Sequence, residues 1–208
     1  SKKYYYQCPP PYDNGYYVCY NNVGGGDATV VNSGDITISV GIEQEFAFSY
    51  GVGIVVGTGK YGGNATVVNS GDISVINTAE GNAVGISARS TGKYAYGSSI
   101  VSNSGDITVS ASYSATGIGA YSSNDSVIYN AGDITVTTEE ARSRGLYAIA
   151  DNTSYIRNSG DITVVGGIGA IGSGAMGLYG ATNINTGDVS VTATYYYTMY
   201  NEYNGTTD

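Results

Sequence analysis

The chain has 208 residues, 32 of them Gly, with 12% charged and 41% hydrophobic residues and a formal net charge of −9. Its scattered Lys and Arg exclude the basic stripe that nucleic acid requires, and no apolar run reaches the roughly 18 residues of a membrane span. The sequence contains no His, which removes the commonest general acid/base and metal ligand, so no catalytic residue and no metal centre is expected.

Residues 1–27 form a Tyr- and Pro-rich segment, read as a cap or docking arm. It lacks a hydrophobic targeting stretch, and Ser1 is therefore read as a mature N terminus. Cys8 and Cys19 are the only cysteines; as a pair in a chain read as secreted they are expected to form a disulfide. The run Pro9-Pro10-Pro11 favours an extended polyproline II strap.

From residue 28 to 192 one motif recurs. Asn-Ser-Gly-Asp stands at 32–35, 69–72, 103–106 and 158–161, Asn-Ala-Gly-Asp at 130–133 and Asn-Thr-Gly-Asp at 185–188. The aspartates Asp35, Asp72, Asp106, Asp133, Asp161 and Asp188 are 37, 34, 27, 28 and 27 residues apart. A repeat of this length is the signature of a solenoid, in which each turn buries its apolar face only against its neighbours. The segment before the motif alternates inward at Val30, Val67, Val101, Ile128 and Ile156. Asn183 interrupts that column and marks the approach of the solenoid's end. The segment after the motif puts Ile36, Ile73, Ile107, Ile134, Ile162 and Val189 inward, with Ile38, Val75, Val109, Val136, Val164 and Val191 two residues on. A third strand carries Gly53-Ile54, Gly85-Ile86, Gly117-Ile118, Gly145-Leu146 and Gly177-Leu178, followed by the smaller Val56, Ala88, Ala120, Ala148 and Gly180. Irregular insertions are expected over 43–50 and 91–98.

The predicted fold is therefore all-β: a right-handed parallel β-helix, or β-solenoid, of three strands per rung and about five to six rungs. Parallel in-register stacking sets each residue about 4.8 Å from its counterpart. The Asn column (Asn32, Asn69, Asn103, Asn130, Asn158, Asn185) is expected to form an amide ladder at a corner, with the following Gly supplying a positive φ for the turn. The Asp column faces outward, where neighbouring carboxylates repel by roughly 0.9 kcal/mol per pair even in water. Hydrogen bonds from turn N–H groups would offset this; Ca²⁺ held between rungs is the functional alternative.

The Gly-Ile/Leu-x-Ala strand followed by Ala-Thr-Val-x-Asn-Ser-Gly-Asp-Ile-Thr-Val-Ser resembles the repeats of bacterial autotransporter and adhesin passenger domains over residues 28–192. The resemblance implies a pectin-lyase-like β-helix at the cell surface or outside the cell. It also brings polysaccharide-active enzymes into consideration, although the Asp column is a repeat feature rather than a unique catalytic cluster. The outward Thr and Ser of the strands at 37, 74, 108, 135, 163 and 190 are similar to the faces of β-helical ice-binding proteins, but the charged column runs beside them.

Residues 193–208 form a second Tyr-rich segment. More than half of the 22 Tyr crowd the two ends, among them Tyr4, Tyr5, Tyr6, Tyr16 and Tyr17, and Tyr195, Tyr196, Tyr197 and Tyr200. Tyr is an interface residue, and a solenoid leaves raw strand edges at both ends. These rings are read as an assembly interface through which copies of the chain mate end to end. The expected function is thus a non-enzymatic extracellular structural subunit of a filament or surface layer. The alternatives are a monomeric adhesin rod that binds cells or glycans and, further off, a polysaccharide-active enzyme or an ice-binding protein.

Overall fold

The computed structural model describes residues 26–41, 49–59, 62–91 and 96–193, together with the backbone of 18–21. Among them there is no helix. The chain winds through successive turns of three strands. The first turn holds β1 (Val18–Asn21), β2 (Ala28–Asn32) and β3 (Ile36–Val40), and the second β4 (Ser49–Thr58), β5 (Ala65–Asn69) and β6 (Ile73–Asn77). The third turn holds β7 (Gly81–Ser90), β8 (Ser99–Asn103) and β9 (Ile107–Ala111), and the fourth β10 (Ser114–Ser122), β11 (Ser126–Asn130) and β12 (Ile134–Thr138). Then come β13 (Ser143–Ala150), β14 (Thr153–Asn158) and β15 (Ile162–Gly166), and last β16 (Ala170–Gly177), β17 (Gly180–Asn185) and β18 (Val189–Ala193). Each strand pairs in parallel with the strand three further on, giving three six-stranded sheets: β1-β4-β7-β10-β13-β16, β2-β5-β8-β11-β14-β17 and β3-β6-β9-β12-β15-β18. The protein is a three-faced parallel β-solenoid. Its first strand, β1, falls within the segment 1–27.

The β-branched columns explain why the turns stack. Ile73 lies beside Ile107, Ile107 beside Ile134 and Ile134 beside Ile162, and the valines at 75, 109, 136 and 164 follow the same register. All eight are buried in one continuous core with Val67, Val101, Ile128 and Ile156. Full burial of such side chains contributes about 1.5–3 kcal/mol each relative to exposure, and identical shapes at one level leave no gap at the next.

The long strands of the first sheet contain a break. Register runs Val52↔Val84 and then Ile54↔Ile86, passing over Gly53 and Gly85. A Cβ on Gly85 would stand 2.6 Å from the carbonyl oxygen of Gly117 and 2.6 Å from Ile107 Cγ2. Gly85 and Ile86 thus both face the interior, and alternation restarts on the far side of the break. The outward residues flanking it, Thr116 and Arg144 before and Gly119 after, line a groove on the sheet's outer face.

Two sequence expectations require correction. The corner glycines do not supply a positive φ: among the described glycines only Gly169, outside the repeated corner, has one, at 76°. Glycine is needed there because the turns approach so closely. A Cβ on Gly71 would lie 2.2 Å from Gly34 O, on Gly105 2.1 Å from Gly71 O, and on Gly132 2.1 Å from Gly105 O. The second correction concerns the last turn, where Gly177-Leu178 does not continue the column of Gly145-Leu146. Leu146 pairs with Ser173 and Ala148 with Ala175, while Leu178 is 78% exposed. Ser173 takes a large apolar position, and its hydroxyl lies 3.0 Å from Asn183 Oδ1. Two polar residues therefore replace two core hydrophobes at the same level and satisfy each other.

Candidate functional sites: the corner ladders, the two ends and a lateral groove

At the corner between the second and third sheets the repeated motif builds two ladders. Asn32 Nδ2 donates to Asn69 Oδ1, Asn69 to Asn103, Asn103 to Asn130 and Asn130 to Asn158, each at 2.7 Å, and Asn158 donates onward to Asn185. The same amide group also donates to the carbonyl of the glycine two residues on, at 2.6 Å for Asn69, Asn103 and Asn130. Buried amides are tolerable only because both ends are used. One residue outward, the backbone N–H of Asp72 donates to Asp35 Oδ1 at 3.0 Å, that of Asp106 to Asp72 at 2.9 Å, and those of Asp133, Asp161 and Asp188 to the preceding Asp at 2.8 Å. Every carboxylate in the column except the last thus receives an N–H from the following turn, which offsets repulsion between neighbours. No three His, Cys, Asp or Glu side chains converge as metal ligands among the described residues.

A hydroxyl column lies at the preceding corner, unremarked in the sequence. Ser99 Oγ donates to Tyr121 O at 2.6 Å, and Ser126 Oγ and Ser154 Oγ donate to Ile149 O and Met176 O at 2.5 Å. Each serine ties one turn to the next, as the asparagines do.

Both ladders run one way. Asn and Asp side chains reach toward the C-terminal turn, where Asn185, Asp188 and the strands β17 and β18 stand at the edge of their sheets. Exposed apolar residues gather at this end: Met176 is 49% exposed, Tyr179 83%, Ile184 42% and Val189 43%. A cavity of about 590 Å³ opens there between Ala175, Ala181 and Asn183. The opposite edge presents Asn32, Gly34 and Asp35. The predicted interface tyrosines Tyr4, Tyr5, Tyr6, Tyr16, Tyr17, Tyr195, Tyr196, Tyr197 and Tyr200 lie outside the described residues. So does Cys8, and Cys19 is described only as backbone of β1.

The groove on the first sheet holds the third candidate. Arg89 from β7 lies with its Cζ 4.9 Å from the centroid of the Tyr121 ring, and Arg144 from β13 lies 4.6 Å from that of Tyr147. The two rings meet edge to face, 6.4 Å apart. Tyr121 lies across Gly119, where a Cβ would stand 2.7 Å from the ring. Burial pushes the Tyr121 phenol above its ordinary value, and the guanidiniums of Arg144 and Arg89 partly oppose the shift. The spacing rules that expose the columns do not find this cluster: Arg89 and Tyr121 share one register position, but the residue there changes at every turn, from Gly57 to Ile149 and Met176.

The geometry defines the chain as a parallel β-solenoid with polar corner ladders. No protein-family model matches it, and neither a curated protein nor a solved structure matches it.

Proposed function

We propose that the chain is a non-enzymatic extracellular structural subunit that stacks end to end with copies of itself in a surface filament or layer. One observation carries this reading. Gly34 keeps the glycine of the repeat although, among the described residues, a Cβ there would meet nothing within 4 Å. At every later turn that glycine is demanded by the carbonyl beneath it. A second copy docked on the N-terminal edge would place its Gly187 carbonyl in that position. The same register would set Asn185 against Asn32 and Asp188 against the Asp35 N–H, so that donors face acceptors along the joint. Such a contact is heterologous and does not close, which is the condition for a fibre.

Gly34→Ala tests this directly. The described residues of the single chain leave room for the methyl group, so the variant is expected to fold with unchanged circular dichroism and a melting temperature equal to or slightly above that of the wild type. Filaments formed by the wild type, counted by negative-stain microscopy, are expected to disappear. A wild-type protein that stays monomeric, or a Gly34→Ala variant that polymerises as well as its parent, overturns the reading.

A monomeric rod of the adhesin or autotransporter-passenger kind, binding cells or glycans, is the second reading. The groove that gathers Arg89 and Arg144 over aromatic rings favours it, since the chain has only 8 Lys and Arg in total.

A further inference from the structure

The groove over the first sheet is built, but its hydrogen bonding is incomplete. It has a volume of about 140 Å³ and is lined by Asn82, Ser114, Thr116, Tyr121 and Arg144. An engineered cavity of about 150 Å³ admits benzene, so one six-membered ring fits. Two polar atoms in or beside it are buried without a hydrogen-bond partner: Arg144 Nε and Asn82 Oδ1. Arg89 Nε donates to Ser87 Oγ at 3.2 Å, and among the described residues neither guanidinium has a carboxylate partner. An unmet buried donor costs about 1–3 kcal/mol, and more when charged. In a chain with net charge −9, two arginines stacked on two tyrosines, without a carboxylate partner among the described residues, form a local reversal of sign.

These unmet groups specify a ligand. Arg144 Nε requires an acceptor, and the paired guanidiniums favour an anionic one. Asn82 Oδ1 requires a donor, which a hydroxyl supplies. The volume, close to that which admits a single six-membered ring, sets the ligand's size. We infer that the Arg89–Tyr121–Arg144 groove binds an acidic sugar, a carboxylate on a hydroxylated six-membered ring. The inference does not rest on end-to-end assembly, because the groove lies on the side of the solenoid.

Titration calorimetry on the full chain, with glucuronate, glucose and inorganic sulfate as probes, tests the proposal. Glucuronate is expected to bind, glucose to give no saturable heat, and sulfate to bind at least tenfold more weakly than glucuronate. Arg144→Gln and Asn82→Leu are each expected to weaken glucuronate binding by tenfold or more, while Arg89→Lys, which keeps the charge, weakens it less than Arg89→Gln. On the wild-type protein, glucuronate but not glucose is expected to shift the Arg144 Nε–Hε resonance, a readout independent of whether any variant folds. Equal binding of glucose overturns the role of the guanidiniums, and sulfate equal to glucuronate overturns the role of Asn82. An unmoved Arg144 resonance under saturating glucuronate overturns the site itself. A polymer of glucuronate that binds while the single sugar does not would overturn recognition of one ring at a time.

Discussion

Each asparagine of the corner makes one bond within its own turn and one to the next, so its loss strands groups on both sides. Asn103 accepts from Asn69 and donates to Gly105 O and Asn130 Oδ1, and it is buried. Asn103→Ala leaves three polar groups short of a partner and is expected to destabilise the fold by on the order of 3 kcal/mol, given about 1–3 kcal/mol per unsatisfied buried group. Asn185→Ala, at the exposed edge, is expected to cost less than about 1 kcal/mol. Urea unfolding of the two variants measures the difference. Tyr121 offers a pH test. Its phenol ionises near 10.0 when unfolded and above that when folded. Its contribution is therefore complete below pH 10 and is lost as pH rises through the folded value. The wild type is expected to lose more stability than Tyr121→Phe between pH 10 and pH 11, with the two curves parallel below pH 9. Urea melts across that range test this, and the subtraction removes the other tyrosines.

At the scale of the strand, like stacks on like wherever an inward side chain is apolar. That is why the columns through Ile73 and Val75 were legible from alternation alone. Legibility ended where composition and spacing disagreed. Gly177-Leu178 copies the look of Gly145-Leu146, but Gly172 stands at the repeat spacing of 27 residues, and the chain follows spacing because register admits no slip without turning every side chain to the other face. The arginine–tyrosine groove was illegible for a different reason: Arg89 and Tyr121 share a register position whose chemistry changes at every turn, so no column of like residues marks it. The polar pair of the last turn carries its own prediction. Ser173→Ala or Asn183→Ala alone breaks their hydrogen bond and is expected to cost about 1 kcal/mol. The double change Ser173→Leu with Asn183→Val restores the apolar columns and is expected to be neutral or stabilising by about 1–3 kcal/mol. A double-mutant cycle by chemical denaturation gives the coupling; additive losses would show that the pair does not act as a unit.

For the whole molecule, stability is close to a sum of turns and the contacts between adjacent turns. The fold class and the length of the described solenoid followed from the repeat, whereas the ends, where no turn has two neighbours, did not. The corner register has one more consequence. Asn103 and Asn130 occupy the same place in consecutive turns, 27 residues apart, and each leads into Gly-Asp-Ile-Thr-Val. Excision of 104–130 would splice Asn103 to Ala131 and bring β12 directly onto β6, with both ladders resuming at the seam. The shortened protein is expected to fold with one rung fewer, an axial length smaller by about 4.8 Å and a proportionately smaller denaturant m-value, which small-angle scattering and urea melts would register. Unequal recombination between such repeats would adjust the rod's length in whole rungs without having to solve the folding problem again.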